Sequence, residues 1–547
     1  MVTQHLRRLL ALAALLALAP GGRLPAEPAP IRPRLVLVLT IDQMRFDYLT
    51  RFGPLFKGGF RRLLDRGAVF TNARYAHACT ETGPGHATIL SGRHPSHSGV
   101  IANAWYDALL GQRINVVDDP VVSTVGGSGR GASPANFIGF TFGDFLKLRS
   151  PASRVVGVSL KDRGAILPAG PRADGAYWYE TEGGRFVTST YYRPTPPAWL
   201  EAWNQRHPVD AYGGGTWNRL LSDEGLYRQF AGEDDVKGEW NGKDTVFPHR
   251  IRGTPPSREF YDDFRRTPFA DEVTLEVSLA AMAGHELGVR EATDVLAISF
   301  SATDIIGHTY GPDSQELMDQ MLRLDLTLQR LLDAVEARVG PDRTLLVLTA
   351  DHGVLPLVEV LQARGVDARR VPPGVFEKAV SEALAARFPK AKGLVASADG
   401  PDFYLDLAAL GRQGLRREEV EATIEKALLG TGAIAAVYTH ARLLGEVPPD
   451  DPFFPLFQNA FFEPRSPHIL SRVKEHVYVG DRTGGTGHGT AYDYDRHVPL
   501  VFLGAAIKPG SYPEPCGPED IAFTLARLLW LDYPKLDATR ALTEMMR

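Results

Sequence analysis

Five short runs of mostly apolar residues, rich in β-branched side chains, recur along the chain. They cover residues 35–41, 155–160, 295–300, 344–349 and 498–503. A strand that is buried on both faces has such an uninterrupted apolar pattern. Apolar residues recur at helical spacing over 315–338, 376–388, 418–429 and 521–530. Because strands alternate with helices, the pattern predicts an α/β fold with a largely parallel central sheet and helices on both faces.

Two long segments interrupt this alternation, at about 165–275 and about 365–475. The first is rich in Gly, Pro, Trp and Tyr without a steady period, and the second combines two helical patterns with weak strands. Long loops over the binding edge of a sheet often form lids or substrate walls. We therefore predict one catalytic domain over 34–547, with these two segments inserted as caps over the edge of the sheet.

The N-terminus has the pattern of a secretory signal peptide. Arg7 and Arg8 precede an apolar run over 9–19 that is too short to cross a bilayer, and residues 20–26 suit a cleavage site. We predict a signal peptide over 1–26, cleaved near Ala26, and a periplasmic or secreted protein. An uncleaved membrane anchor is the alternative, and the length of the run disfavours it. We expect no stable insertion in a membrane.

The charge and the cysteine content of the chain change this interpretation little. The 547 residues carry a net charge of −5, and the Lys and Arg residues are scattered along the chain, so we expect no nucleic-acid partner. Cys79 and Cys516 are the two cysteines. They would be able to pair in an oxidising compartment, but their spacing does not show whether they meet. The oligomeric state is not encoded in any pattern that we find.

Charged residues follow four of the five apolar runs. Asp42 follows the first run, Lys161 the second and Asp304 the third, and the fourth is followed by Asp351 and His352. In open α/β sheets, ligands bind at the carboxyl ends of the strands. We therefore expect these side chains to converge on one site, although a single Asp at a strand end is more often a turn or cap residue.

Thr82 lies in a stretch over 79–92 that has the pattern of a loop leading into a helix. Pro84 suits the first helical turn, because its missing N–H has no partner there. The N-terminus of a helix favours an anion, so the Thr82 hydroxyl would lie beside a place where phosphate or sulfate binds. An ordinary N-cap threonine is the alternative.

Histidines complete a set of metal-ligand types. Asp304 and His308 form a D-x-x-x-H pair, and His488 lies in the glycine-rich loop 484–490. The three aspartates and three histidines make two sets of three, which suits two divalent ions with Thr82 as an added ligand. They are Asp42, Asp304, Asp351, His308, His352 and His488. Because half of these ligands are imidazoles, zinc is favoured over magnesium or calcium.

In this order, these motifs resemble the alkaline phosphatase superfamily, over roughly residues 35–530. The motifs are Ile41-Asp42-Gln43, Thr82-Gly83-Pro84-Gly85-His86, Asp304-x-x-x-His308, Asp351-His352-Gly353 and Gly487-His488-Gly489. Asn103 and Lys161-Asp162-Arg163 resemble the PafA-type branch of this superfamily, whose members are phosphate monoesterases with a threonine nucleophile.

The resemblance implies a role for each of these residues. Two zinc ions would be bound, one by Asp304, His308 and His488, the other by Asp42, Asp351, His352 and Thr82. Thr82 would be the nucleophile that forms a phosphothreonine, and Asn103, Lys161 and Arg163 would hold the remaining phosphoryl oxygens. The implied activity is that of an alkaline phosphatase, the metal-dependent hydrolysis of phosphate monoesters (EC 3.1.3.1-like), on small phosphorylated metabolites.

Other members of the superfamily are the main alternatives. A nucleotide pyrophosphatase/phosphodiesterase would share the metal ligands and the threonine, but we would not expect it to carry Lys161 and Arg163. A sulfatase needs a C-x-P-x-R context, which the residues after Cys79 lack. A phosphoglycerate mutase would use serine in the cytoplasm, and a catalytically inactive binding protein would not need the full ligand set. We assign His86, His94 and His97 to packing and local hydrogen bonds.

Overall fold

The computed structural model describes residues 32–239, 244–480 and 483–547. The predicted signal peptide over 1–26 lies outside the described residues. From Pro33 to Arg547 the chain forms one compact unit. Among the helices in the described ranges, none is both long enough and apolar enough to cross a bilayer.

The strands and helices alternate along most of the chain. The strands are β1 Leu35–Ile41, β2 Ala68–Phe70, β3 Ala104–Asp107, β4 Gln112–Asn115, β5 Asp118–Val125, β6 Arg130–Ala132, β7 Val155–Ser159, β8 Gly175–Glu180, β9 Arg185–Ser189, β10 Thr216–Trp217, β11 His249–Arg250, β12 Asp294–Phe300, β13 Thr344–Thr349, β14 Arg369–Val371, β15 Val395–Asp399, β16 Asp402–Leu405, β17 Ile434–Thr439, β18 Ile469–Val473, β19 Val477–Val479, β20 Leu500–Gly504 and β21 Gly510–Tyr512. The α-helices are Asp47–Arg51, Gly59–Arg66, Thr82–Ser91, Pro95–Ser98, Phe142–Arg149, Asp162–Ala169, Ala198–Asn204, Glu224–Ala231, Arg258–Phe264, Phe269–Gly284, Ala302–Tyr310, Gln315–Arg338, Val358–Ala363, Gly374–Arg387, Leu407–Arg412, Arg417–Gly430, His440–Leu443, Phe454–Ala460, Asp493–Arg496 and Asp520–Leu528. Short 3₁₀ turns cover Gly53–Leu55, Pro208–Tyr212, Pro341–Arg343 and Thr543–Met545.

Eleven of these strands form the main sheet, in the order β21-β2-β20-β13-β1-β12-β7-β8-β9-β5-β6. The central block from β13 to β8 is parallel throughout. On either side of it, β20 pairs antiparallel with β13, and β9 pairs antiparallel with β8. The α/β prediction is confirmed: the sheet is parallel at its centre and mixed at its flanks, where the fifth apolar run forms β20.

Helices cover both faces of this sheet, as predicted. Side chains of a strand alternate between its two faces. In β1, Leu37 and Leu39 pack into one hydrophobic cluster with the helix Gln315–Arg338, whereas Val36 and Val38 pack into another with the helix Asp520–Leu528. Burial on both faces explains why the run is apolar at every position.

The two segments predicted as insertions differ in their relation to the main sheet. The first, about 165–275, contributes β8 and β9 to that sheet, so only its part after β9 lies outside. The second, about 365–475, forms a separate four-stranded sheet in the order β15-β16-β18-β17. The helices Gly374–Arg387 and Arg417–Gly430 pack on this small sheet around a hydrophobic cluster of their own.

Candidate active site at the carboxyl edge of the central strands

The charged residues that follow the apolar runs meet at one edge of the sheet. Asp42 follows β1, Asp351 follows β13 and Lys161 follows β7 by two residues. Asp304 lies in the first turn of the helix Ala302–Tyr310 after β12, and His308 lies one turn later on the same side of that helix. Because β13, β1, β12 and β7 are parallel neighbours, these side chains converge as the sequence predicts.

Main-chain carbonyls fix the orientation of the three predicted histidine ligands. Nδ1 lies 2.8 Å from the Thr486 oxygen in His308, 2.9 Å from the Gly353 oxygen in His352 and 2.8 Å from the Thr80 oxygen in His488. A carbonyl oxygen only accepts a hydrogen bond, so Nδ1 carries the hydrogen and the Nε2 lone pair is free. This is the arrangement in which imidazole binds a metal through Nε2.

The Nε2 atoms point toward the aspartates. Two groups have their potential ligand atoms within 4.8 Å of one another, Asp304 with His308 and His488, and Asp42 with Asp304 and His352. Asp304 belongs to both groups. Asp351, which the resemblance assigns to the second group, lies with Oδ2 3.5 Å from Nε2 of His352. All six predicted ligands therefore lie together.

The aspartate oxygens lack enough donors for their burial. Asp42 and Asp351 are fully buried. Within the described ranges, Oδ1 of Asp42 has no hydrogen-bond donor, while Oδ2 of Asp42 faces only the Lys161 ammonium and Oδ2 of Asp351 only Nδ1 of His86. Burial and the neighbouring Asp351 carboxylate raise the pKa of Asp42 well above its usual value. Buried carboxylates are costly without compensating positive charge, so this donor set fits cations.

Lys161 supplies one such charge. Its Nζ lies 2.8 Å from Oδ2 of Asp42 and 2.6 Å from Oδ2 of Asp304. Burial acts against the charge on Asp304, but Lys161 and His308 hold the pKa of Asp304 well below its usual value. The Lys161 ammonium is therefore bound directly to two predicted metal ligands, and divalent ions would have to share or take over the same oxygens.

Thr82 is the first residue of the helix Thr82–Ser91, and Glu81 occupies the N-cap position. The Thr82 hydroxyl is buried, with Oγ1 3.3 Å from Nζ of Lys161 and 3.5 Å from Nε2 of His352. Asn103 lies at the same helix end, where Oδ1 accepts a 2.8 Å hydrogen bond from the Gly83 N–H. The hydroxyl is thus held between the ligand groups and the N-terminus of a helix, as predicted for an anion site.

Arg163 lies in the first turn of the helix Asp162–Ala169. Its contact with an acidic group is long, 3.6 Å from Nη1 to Oδ1 of Asp162, and its Nε is buried without a hydrogen-bond partner among the described residues. The helix that carries Arg163 packs against the helix Thr82–Ser91. Arg163 therefore lies on a neighbour of the Thr82 helix, with an unused hydrogen-bond donor.

Two residues that hold the ligands were missed by the sequence analysis. Gln43 donates from its main chain to Asp351 (3.1 Å) and from Nε2 to Asp304 (2.8 Å). His86, which we assigned to packing and local bonds, is bonded to the Thr82 carbonyl at 2.9 Å but also lies 3.1 Å from Oδ2 of Asp351. Gln43 and His86 contact aspartates more than 200 positions away in the sequence, so no local sequence pattern predicts these contacts.

A cleft of about 720 Å³ opens beside these residues. One wall carries Asn103, His308 and His488 from the site. Other lining residues come from the second predicted insertion, including Asp402 and Tyr404 of β16.

Comparisons with known proteins agree with this geometry. The family model described as type I phosphodiesterase / nucleotide pyrophosphatase matches residues 36–367. The chain belongs to this family. It is 32% identical over 531 residues to the alkaline phosphatase PafA of Elizabethkingia meningoseptica, covering 94% of this chain and 95% of that protein. It is 31% identical over 525 residues to the alkaline phosphatase PhoV of Synechococcus elongatus, covering 94% and 93%.

Solved structures give the same result. The crystal structure of PafA superposes with a TM-score of 0.88, at 32% identity, over 95% of this chain and all of the other. The murine ectonucleotide pyrophosphatase / phosphodiesterase 5 superposes with a TM-score of 0.53 at 13% identity, which shows a shared fold alone. The predicted resemblance to the PafA-type branch of the alkaline phosphatase superfamily is confirmed.

Substitution of Gly85 tests how closely the helix Thr82–Ser91 must approach the predicted ligands. A Cβ at Gly85 would lie 2.2 Å from the main-chain oxygen of Asp351. Gly85→Ala should therefore displace Asp351 and destabilise the protein by about 2 kcal/mol, within the usual range for overpacking. Thermal unfolding and bound-metal analysis measure both effects. Gly411→Ala is the matched control, since nothing lies within 4 Å of its Cβ position. Equal behaviour of the two variants would contradict the close approach.

Lys161 tests the charge balance of the site. After exhaustive chelation, Lys161→Ala should lower the free energy of unfolding by about 3 kcal/mol relative to chelated wild type, because it leaves buried carboxylates without their cation. Added zinc should shrink that difference by supplying positive charge to the same oxygens. Denaturant titration measures the difference in the free energy of unfolding. Lys147→Ala, which removes a partly exposed pair with Asp174, is the control. A loss of equal size with and without zinc would refute the argument.

Proposed function

We propose that this protein is an exported, zinc-dependent alkaline phosphatase that hydrolyses phosphate monoesters through a phosphothreonine on Thr82. The observation that carries the proposal is the position of the Thr82 hydroxyl, buried at a helix N-terminus within 3.5 Å of both Lys161 and His352. Nearly full-length relatives named alkaline phosphatases support hydrolysis of monoesters. The related phosphodiesterase structure resembles this chain in fold alone.

The metal ligands would be divided as the resemblance implies. Asp304, His308 and His488 would hold one zinc ion, while Asp42, Asp351, His352 and Thr82 would hold the other. Three free Nε2 atoms favour zinc, since magnesium and calcium prefer oxygen ligands alone. When bound, such ions act as Lewis acids that favour ionised oxygens on the nucleophile and leaving group.

The chain's own residues would carry out two displacements. In the first, Oγ1 of Thr82 would lose its proton and bond to phosphorus while the ester P–O bond breaks and the departing oxygen takes up a proton, so that the alcohol leaves. In the second, the oxygen of a water molecule would bond to phosphorus and the Oγ1–P bond would break, so that inorganic phosphate departs and Oγ1 takes up the proton that water loses. The positive end of the dipole of the helix that begins at Thr82 would favour the negative phosphoryl oxygens in both steps.

Asn103, Lys161 and Arg163 would hold the non-bridging oxygens. Arg163 offers a planar fork, Lys161 a point charge on a flexible stem and Asn103 an amide N–H. Lys161 Nζ is already 3.3 Å from Oγ1 of Thr82, so a small rotation would move it from the aspartates to an oxygen of the bound phosphoryl group. Three donors suit a monoester, which has two full charges and no second ester arm. Small phosphorylated metabolites are the proposed substrates.

The cellular location rests on the N-terminal pattern. A positive start, a short apolar run and a cleavage zone ending near Ala26 support export to the periplasm or beyond. N-terminal sequencing of the mature protein from the producing cell tests this part of the proposal. A mature chain that still begins at Met1 would contradict cleavage.

Substitution of Thr82 tests the nucleophile. Thr82→Ala should lower kcat/KM for p-nitrophenyl phosphate by about a thousandfold or more, because no hydroxyl remains to form the covalent intermediate. Thr82→Ser should retain part of the activity. Chelation should abolish the activity of wild type, and zinc should restore it. Thr88→Ala is the matched control, since that threonine lies in the same helix and bonds to the Arg93 carbonyl instead. Normal turnover by Thr82→Ala would exclude the proposed nucleophile.

Substitution of Lys161 and Arg163 tests whether these two residues make the protein prefer monoesters to diesters. Replacing both by Ala should lower kcat/KM for p-nitrophenyl phosphate about a hundredfold and that for bis-p-nitrophenyl phosphate far less, because charge-assisted bonds to oxygen are the strong ones. The ratio of the two constants is the measurement. A wild-type enzyme that prefers the diester would support the phosphodiesterase alternative.

A further inference from the structure

Asn103 has a defined orientation before any substrate binds. The Gly83 N–H donates to Oδ1 of Asn103 at 2.8 Å, and a main-chain N–H cannot accept. The amide nitrogen Nδ2 therefore points away from the helix end. Among the described residues, no acceptor lies within hydrogen-bond distance of Nδ2, and Asn103 lines the cleft. Its N–H groups are free for a phosphoryl oxygen.

Glu81 forms a second hydrogen bond with Asn103, this time to its main chain. Its Oε2 accepts a 2.7 Å hydrogen bond from the main-chain N–H of Asn103. The side chain of Glu81 thus holds the backbone of Asn103, while the side chain of Asn103 holds the backbone of Gly83. The two bonds flank Thr82 in the sequence, and they tie the loop before β3 to the first turn of the nucleophile helix. The carbonyl of Glu81 also accepts from Gly85, which keeps that turn in place.

The Glu81 carboxylate has its strong hydrogen bond to Asn103. Its Oε2 accepts the Asn103 main-chain N–H, whereas the other oxygen, Oε1, lies 4.0 Å from Sγ of Cys79, a weak partner. The strong hydrogen bond of this side chain therefore goes to a residue that would bind a phosphoryl oxygen.

We propose that Glu81 is a positioning residue that orients Asn103 for a non-bridging oxygen of a phosphate monoester. This inference rests on the proposed function. A carboxylate would repel the phosphoryl oxygens, so Glu81 would act on them through Asn103, whose main-chain N–H it binds. Its effect on turnover should therefore depend on whether the Asn103 side chain is present. A glutamate that only caps the helix would have no such dependence.

A double-mutant cycle on the zinc-loaded enzyme separates the two roles. The variants are Glu81→Ala, Glu81→Gln, Asn103→Ala and Glu81→Ala with Asn103→Ala. We expect Glu81→Ala to lower kcat/KM for p-nitrophenyl phosphate about tenfold, the usual worth of one bond to a charged group. For bis-p-nitrophenyl phosphate, kcat/KM should fall by about threefold or less, since the Asn103 donors contribute less to the binding of a diester. In the Asn103→Ala background, Glu81→Ala should cost about threefold at most, because neighbours in one network are not additive.

Glu81→Gln keeps an acceptor oxygen for the Asn103 N–H and removes only the charge, so it should lose less than Glu81→Ala. It also covers the case in which Glu81→Ala fails to fold. Glu421→Ala, which removes a buried glutamate paired with Arg417 in the second insertion, is the control. Zinc content and melting temperature accompany every rate.

Three results would overturn the inference. These are equal losses on both esters, the same loss with and without the Asn103 side chain, or a Glu81→Gln variant no better than Glu81→Ala. Failure of the proposed function would be recognised from the wild-type protein, without any variant, because it would then release no phosphate or would prefer the diester.

Discussion

The cost of burying carboxylates at the end of the central sheet governs the rest of this structure. Asp42 and Asp351 follow the neighbouring parallel strands β1 and β13, and Asp304 lies in the first turn of the helix that follows β12. The three carboxylates are therefore held close to one another. Mutual repulsion and loss of water both favour neutral acids. The site counters this with Lys161 and with N–H donors from Gln43. The imidazole nitrogens that face inward carry lone pairs, so they add to the need for a cation at that place.

The orientation of the site comes mainly from the backbone. The three histidines are fixed by carbonyls of Thr80, Gly353 and Thr486, and all three carbonyls lie in loops outside the helices and strands. The main chain can approach so closely only where side chains are absent, as at Gly85 against Asp351. The loops at 79–81 and 484–490 are therefore coupled to the metal ligands, and a shift in either would rotate an imidazole.

The sequence predicted the part of this arrangement that depends on local pattern. Uninterrupted apolar runs predict buried strands, and parallel strands bring their ends together, so Asp42, Asp304 and Asp351 followed from the sequence alone. Asn103 follows no such run and was found only through the resemblance. Gln43 and His86 were missed because their partners are far along the chain. The strands β8 and β9 were assigned to an insertion because aromatic and glycine residues at 175–189 hide the apolar period.

Catalysis and substrate choice draw on different parts of the fold. The predicted ligands come from the central sheet and its loops, whereas much of the cleft wall comes from the segment that contains β15 to β18, which packs around its own hydrophobic cluster. A wall with an independent core can change its surface residues at little cost to the sheet that holds the ligands. The predicted phosphoryl donors lie at the boundary: Asn103 lies on the cleft wall, yet it is bonded to the helix that begins with Thr82. Under the proposed function, the choice between monoester and diester would depend on the sheet edge that carries Thr82, and the choice among leaving groups would depend on the insertion.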